Sequence, residues 1–196
     1  MILERPVVER QILSALNANP SRIPVLLGGC GSGRTSLLLR LAETLGKDSS
    51  QYLDIERAAS TPEGFSSSVT RRSPYRIGPT DGTDYPEGLG RDVRSAFDRF
   101  LRFLGEARSS DGHVPVFLID ELLELRAFES FPGLRRIQRE VIETLETSPN
   151  RFVVSTRYTN RAHRLLRDVG ERFEVIHVPA LSAAEVSGLL SGYSVG

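Results

Sequence analysis

The sequence has almost no lysine. Of its 25 lysines and arginines, Lys47 is the one lysine, and the rest are arginine. Tryptophan is absent, Met1 is the sole methionine and Cys30 the sole cysteine. A lone cysteine excludes an intrachain disulfide framework and fits the reducing setting of a cytoplasmic protein. His113, His163 and His177 are scattered and have no cysteine partners, which argues against a zinc centre. Basic and acidic residues balance at 25 each, so the formal net charge is zero. No overall field therefore draws the chain to nucleic acid or to an anionic membrane. No apolar run approaches transmembrane length, so no membrane partner is expected. Met1-Ile2-Leu3-Glu4-Arg5 lacks the layout of a signal peptide. What is present is 196 residues, 39% hydrophobic and 26% charged, the composition of one ordinary soluble domain with a full core.

One loop organises the chain: Gly28-Gly29-Cys30-Gly31-Ser32-Gly33-Arg34-Thr35-Ser36. It follows the apolar run 23–27 and opens a leucine-rich helical stretch, 35–45. Strand, glycine loop and helix together make a phosphate-binding context. The glycines let successive N–H groups turn inward into an anion nest, and the helix aims its positive end at the same point. A hydroxyl at Thr35 can ligate Mg²⁺ carried by a nucleotide. The spacing Gly28-x-x-x-x-Gly33-Arg34-Thr35 resembles the Walker A motif of P-loop NTPases, except that Arg34 stands where the motif has lysine. The charge survives but the shape does not, because a wide planar fork replaces a compact point charge. Phosphate binding is expected, and hydrolysis is left open by this substitution.

The remaining pattern alternates helix and strand. Residues 6–17 have helical apolar spacing with Pro6 in the first turn. Strands are expected at 23–27, 51–55, 114–119, 152–154 and 173–178. Helices are expected at 35–45, 61–70, 93–104, 134–145 and 159–168. Ser182-Ala183-Ala184-Glu185 reads as a capping box opening a last helix. Residues 71–89, rich in Arg, Ser, Pro and Gly, read as a long exposed loop with an extended piece at Tyr75-Arg76-Ile77. The alternation implies an α/β fold: a parallel sheet of five strands between helices, with ligands at the carboxyl ends of the strands.

Two further strand ends are polar. Asp120-Glu121 closes the most apolar strand and resembles a Walker B motif. There the Asp holds Mg²⁺ and the Glu orients and deprotonates water. Glu124 lies nearby and ranks below Glu121 as the base. Ser155-Thr156-Arg157 matches the sensor 1 position of AAA+ ATPases. It resembles more closely the Thr/Ser-Thr-Arg ending of STAND signalling NTPases, in which the Arg contacts the γ-phosphate. Residues 1–20 resemble the segment that packs beside adenine in AAA+, origin-recognition and STAND proteins. Pro179-Ala180-Leu181-Ser182, Glu185 and Leu189-Leu190 resemble the passage that closes their core.

The resemblance spans nearly the whole chain and implies one AAA+/STAND-like core domain, 1–196, with the three-layer α/β/α P-loop NTPase fold. No helical lid follows within the sequence, so the chain is either a piece of a longer protein or a core that works without a lid. The implied cofactors are ATP and Mg²⁺. Gly28, Gly29, Cys30, Gly31, Ser32, Gly33, Arg34, Thr35 and Ser36 would bind the phosphates, and Thr35 and Asp120 the metal. Glu121, Arg34 and Arg157 are the candidate catalytic residues. Arg164, Arg167 and Arg172 occupy the region that supplies an arginine finger to a neighbouring subunit. The expected output is conformational change or assembly, with another copy of the chain or an effector protein as partner. Two alternatives stay open: a non-hydrolysing nucleotide-binding switch or scaffold, and a DNA-associated ATPase of the origin-recognition or loader type.

Overall fold

Apolar runs of strand length with no polar face are satisfied only between two covering layers. The computed structural model places them there; it describes residues 5–58, 61–71, 73–78, 93–167, 169–183 and 185–187. The expected loop beyond residue 78, Arg72, Ala184 and Leu189-Leu190 lie outside the described residues.

In chain order the elements are α1 (Pro6–Leu16), β1 (Ile23–Leu27), α2 (Arg34–Leu45), β2 (Ser50–Asp54), α3 (Ile55–Ala58), α4 (Pro62–Arg71), α5 (Val93–Glu106) and β3 (Val116–Asp120). A 3₁₀ helix (Leu122–Ser130), α6 (Ile137–Thr147), β4 (Arg151–Thr156), α7 (Thr159–Leu165) and β5 (Phe173–His177) follow. The five strands form one sheet in the order β2-β3-β4-β1-β5, and every pairing is parallel.

Strand alternation divides the core into two layers. Val116 and Leu118 of β3 pack with Val8, Ile12 and Leu16 of α1 and with Leu37, Leu38 and Leu41 of α2. Phe117 and Ile119 face the other way, toward Phe65, Phe97, Phe100, Phe128 and Leu145. The result is three layers, α/β/α. No helix among the described residues is long and apolar enough to cross a membrane.

Local chemistry sets several boundaries. The capping box forms as expected: the Ser182 N–H donates to Glu185 at 2.7 Å, and the Glu185 N–H donates to Ser182 Oγ at 3.2 Å. The second strand ends one residue before its expected limit of Ile55, because Asp54 accepts the Arg57 N–H at 3.0 Å and starts α3. Arg76 forms an isolated antiparallel bridge with Arg108, so the extended piece at Tyr75-Arg76-Ile77 is present. The 3₁₀ helix was not expected. Leu122, Leu123, Leu125 and Phe128 are all buried along it, a density that matches no single amphipathic period.

Candidate functional site

Because the strands are parallel, β1, β3 and β4 deliver their carboxyl ends to one edge, with β4 between the other two. The loop after β1 is shaped by its glycines. A Cβ at Gly28 would lie 2.6 Å from both Ser32 Oγ and the Val178 carbonyl oxygen, so no side chain fits there. Gly33, the residue before α2, has φ of 84°, a left-handed conformation. No side chain caps α2, which leaves its first N–H groups to a ligand. Gly29, Cys30, Gly31 and Thr35 are exposed, Ser36 and Gly28 are half-buried, and Ser32 and Arg34 are buried.

Asp120, only 3% exposed, collects three hydroxyls. Thr35 Oγ1 donates to Oδ2 at 2.7 Å, Tyr52 donates to the same oxygen at 2.9 Å, and Ser155 Oγ donates to Oδ1. Burial first, and then the Asp120 charge, push the Tyr52 hydroxyl above its ordinary range, so it remains a donor. Tyr52 had no sequence signal. It lies two residues before the end of β2, and only the β2–β3 register brings it to Asp120.

Glu121 has φ of 52°, the only positive value among non-glycine described residues. Its N–H donates to Ser155 Oγ at 3.1 Å, and its Oε2 accepts the Arg157 N–H at 3.1 Å. Its Oε1 accepts Arg34 Nη2 at 2.5 Å, and both side chains of this pair are more than nine-tenths buried. Arg34 Nη1 also donates to the carbonyls of Gly28 and Gly29 and to Ser32 Oγ at 3.2 Å.

The Arg157 side chain turns away from this cluster. It forms a bidentate pair with Glu56 of α3 at 3.1 Å and also donates to Glu124. The Glu56 pair first, and then the Tyr158 side chain, hold the guanidinium above its usual range. Burial raises the Glu124 carboxyl. The Tyr158 hydroxyl at 2.6 Å and the Arg157 and Arg126 charges outweigh that and hold it below the usual range. Arg5, at the head of α1, is buried with its guanidinium 3.9 Å from Glu185. Among the finger candidates, Arg164 and Arg167 are exposed. Arg172 is engaged with backbone carbonyls at the opposite edge of the sheet.

These donors fit a nucleotide with its cation. A hydroxyl and a carboxylate are hard oxygen ligands of the kind Mg²⁺ takes alongside phosphate and water. Among the described residues no group of three or more His, Cys, Asp or Glu could hold a metal ion. Arg34 Nε is buried without a hydrogen-bond partner.

No known sequence family matches the chain, and no curated protein does. Solved structures match it in shape. A Walker-type ATPase of Pyrococcus abyssi aligns with a TM-score of 0.62 at 17% identity, covering 98% of this chain and 58% of that one. The Aeropyrum pernix Orc1 protein in complex with DNA aligns at 0.57 and 20% identity, covering 99% and 50%. The S. cerevisiae Hsp104–ADP complex aligns at 0.58 and 17% identity, covering 98% and 24%. The chain thus spans about half the length of the first two and a quarter of the third. Its fold is the three-layer α/β/α P-loop fold that these solved ATPase structures share.

Proposed function

We propose that this domain binds Mg-ATP at the 28–36 loop and hydrolyses it to drive a conformational change or an assembly step. The observation that carries the reading is the 2.7 Å hydrogen bond from Thr35 to Asp120, which joins the start of α2 to the end of β3 across 85 residues of chain. In this reading Mg²⁺ supplies neutralisation of charge on the phosphates. The backbone of Gly28–Gly33, with Cys30 and Ser36 at the loop's surface, cradles the phosphates. Arg34 pairs with their oxygens, and Thr35 and Asp120 fix the cation. Glu121 orients water and takes its proton. Arg157 reports the γ-phosphate by exchanging its Glu56 and Glu124 partners for phosphate oxygens. In this reading Arg164 or Arg167, both exposed, serves a neighbouring copy of the chain.

The buried Arg34–Glu121 pair favours a second reading, in which nucleotide is bound and not consumed. Bound DNA belongs to the Orc1 structure, and the zero net charge of this chain gives that role no electrostatic support. Arg34→Lys separates hydrolysis from switching. If the wide guanidinium slows the reaction, steady-state phosphate release rises about tenfold or more in the variant, a barrier lower by ~1.4 kcal/mol. If Arg34 is the adapted catalytic group, release falls. Nucleotide binding with no release from either protein supports the switch.

A further inference from the structure

The loop that should hold an anion holds a cation. The Arg34 guanidinium lies against the carbonyl oxygens of Gly28 and Gly29 and against Ser32 Oγ, with Glu121 on its far side. Carbonyl oxygens turned toward that position repel a phosphate, which needs N–H groups there. The guanidinium is a pure donor, and the nitrogens serving these carbonyls and Glu121 cannot serve phosphate oxygens at the same time. The observed arrangement and a phosphate-loaded loop therefore exclude each other. Glu121 is the candidate base, and here its Oε1 is occupied by Arg34 and its Oε2 by the Arg157 N–H. One acceptor position on each oxygen of the carboxylate is thereby taken, and the guanidinium occupies the space beside Oε1.

Resting on the Mg-ATP reading, we propose that Arg34 is a two-position latch. In the position seen here it neutralises Glu121 and closes the loop to phosphate. An arriving phosphate chain takes the guanidinium as its own partner, the Gly28 and Gly29 peptides turn, and Glu121 is released to act on water. The base is thus armed only when phosphate is bound. A compact lysine ammonium cannot span the loop carbonyls and Glu121 in this way, because it lacks the planar fork. The latch gives a reason for an arginine at this position.

The test reads binding, not turnover. The intact chain, Glu121→Gln, Arg34→Met and the double variant are titrated with the β,γ-imido analogue of ATP plus Mg²⁺, up to millimolar ligand. The latch sets a charged partner against the phosphates, and hydrogen bonds to charged groups are worth enough to move affinity about tenfold or more. Glu121→Gln should therefore bind the analogue at least about tenfold more tightly than the parent chain. Adding the same change to Arg34→Met should gain less than about threefold, since no latch remains to be broken. Equal gains in the two backgrounds would mean simple repulsion between carboxylate and phosphate and would overturn the latch, as would no gain in either. If Glu121→Gln does not fold, Glu121→Asp, one methylene short of the guanidinium, carries the same expectation. Absence of binding by the parent chain overturns the Mg-ATP reading, and the latch falls with it. Binding by the parent chain without the Glu121 effect overturns the latch alone.

Discussion

Arg172→Ala should cost about 3–5 kcal/mol of stability, one of the largest losses available to a single substitution outside the apolar core. The guanidinium of Arg172 is a hub for backbone carbonyls. It donates to Leu145 at 2.9 Å, Glu146 at 2.8 Å, Asn150 at 2.8 Å, Ser21 at 3.2 Å and also to Ser148. The Leu145 and Glu146 carbonyls belong to the last turn of α6, where no intrahelical partner exists. The others lie in the connections leading into β1 and β4, so one side chain ties a helix end to two strand starts. Burial pulls the guanidinium below its usual range, and the nearby Glu146 charge offsets only part of that. Truncation leaves several carbonyls unpartnered at once, each costing roughly 1–3 kcal/mol where water cannot reach. In a chain of this size the midpoint of thermal unfolding should fall by roughly 10 °C. Arg172→Lys should recover part of the loss, since an ammonium offers three donors without the fork. Nucleotide affinity of the folded variant should be unchanged, because Arg172 sits at the amino ends of the strands. Calorimetric unfolding checks the first expectation and nucleotide titration the second.

Asp120→Asn should remove the Mg²⁺ dependence of nucleotide binding and lower phosphate release by about 100-fold or more, with the fold kept. The carboxylate accepts from Thr35, Tyr52 and Ser155. An amide has one acceptor oxygen and turns donors toward at least one of those hydroxyls, which should cost about 1–2 kcal/mol of stability. The loss of negative charge is the larger functional effect, because Thr35 alone cannot retain a divalent cation. Tyr52 supplies an independent optical reading. Its hydroxyl is held up by burial first and by the Asp120 charge next, so in the variant its ionisation should move back toward the ordinary range. An ultraviolet difference titration of the variant against the parent chain follows that movement, because the other four tyrosines are common to both. If Tyr52 ionises as in the parent chain, the hydrogen bond does not couple the two groups.

What could be read in the sequence was what is local. The Gly28–Ser36 spacing, the apolar run ending in Asp120-Glu121 and the Ser182–Glu185 capping box each lie within one element and its neighbour. Five alternations of strand and helix were enough for the three-layer fold. What escaped depends on register and on long-range contacts. Tyr52 reaches Asp120 because Asp54 stands opposite Asp120 in the β2–β3 pair, and nothing in the second strand announces that alignment. Glu56 meets Arg157 across 101 residues of chain, and Arg34 meets Glu121 across 87. Arg172 was grouped with Arg164 and Arg167 by its position just before the fifth strand. Its service to carbonyls of α6 becomes visible only when the strand ends are assembled. The 3₁₀ helix escaped because its leucines are too dense for either the helix or the strand period.

The central claim is that the 28–36 loop, Asp120 and Glu121 form one nucleotide site. Calorimetric titration of the 196-residue chain with ATP, with and without Mg²⁺ and with phosphate release followed in the same sample, tests it most directly. The account predicts saturable one-site binding that Mg²⁺ tightens about tenfold or more, accompanied by steady release of phosphate. Saturable binding that ignores Mg²⁺ would contradict the roles of Thr35 and Asp120. No binding at millimolar ATP would contradict the account as a whole and leave only a P-loop fold.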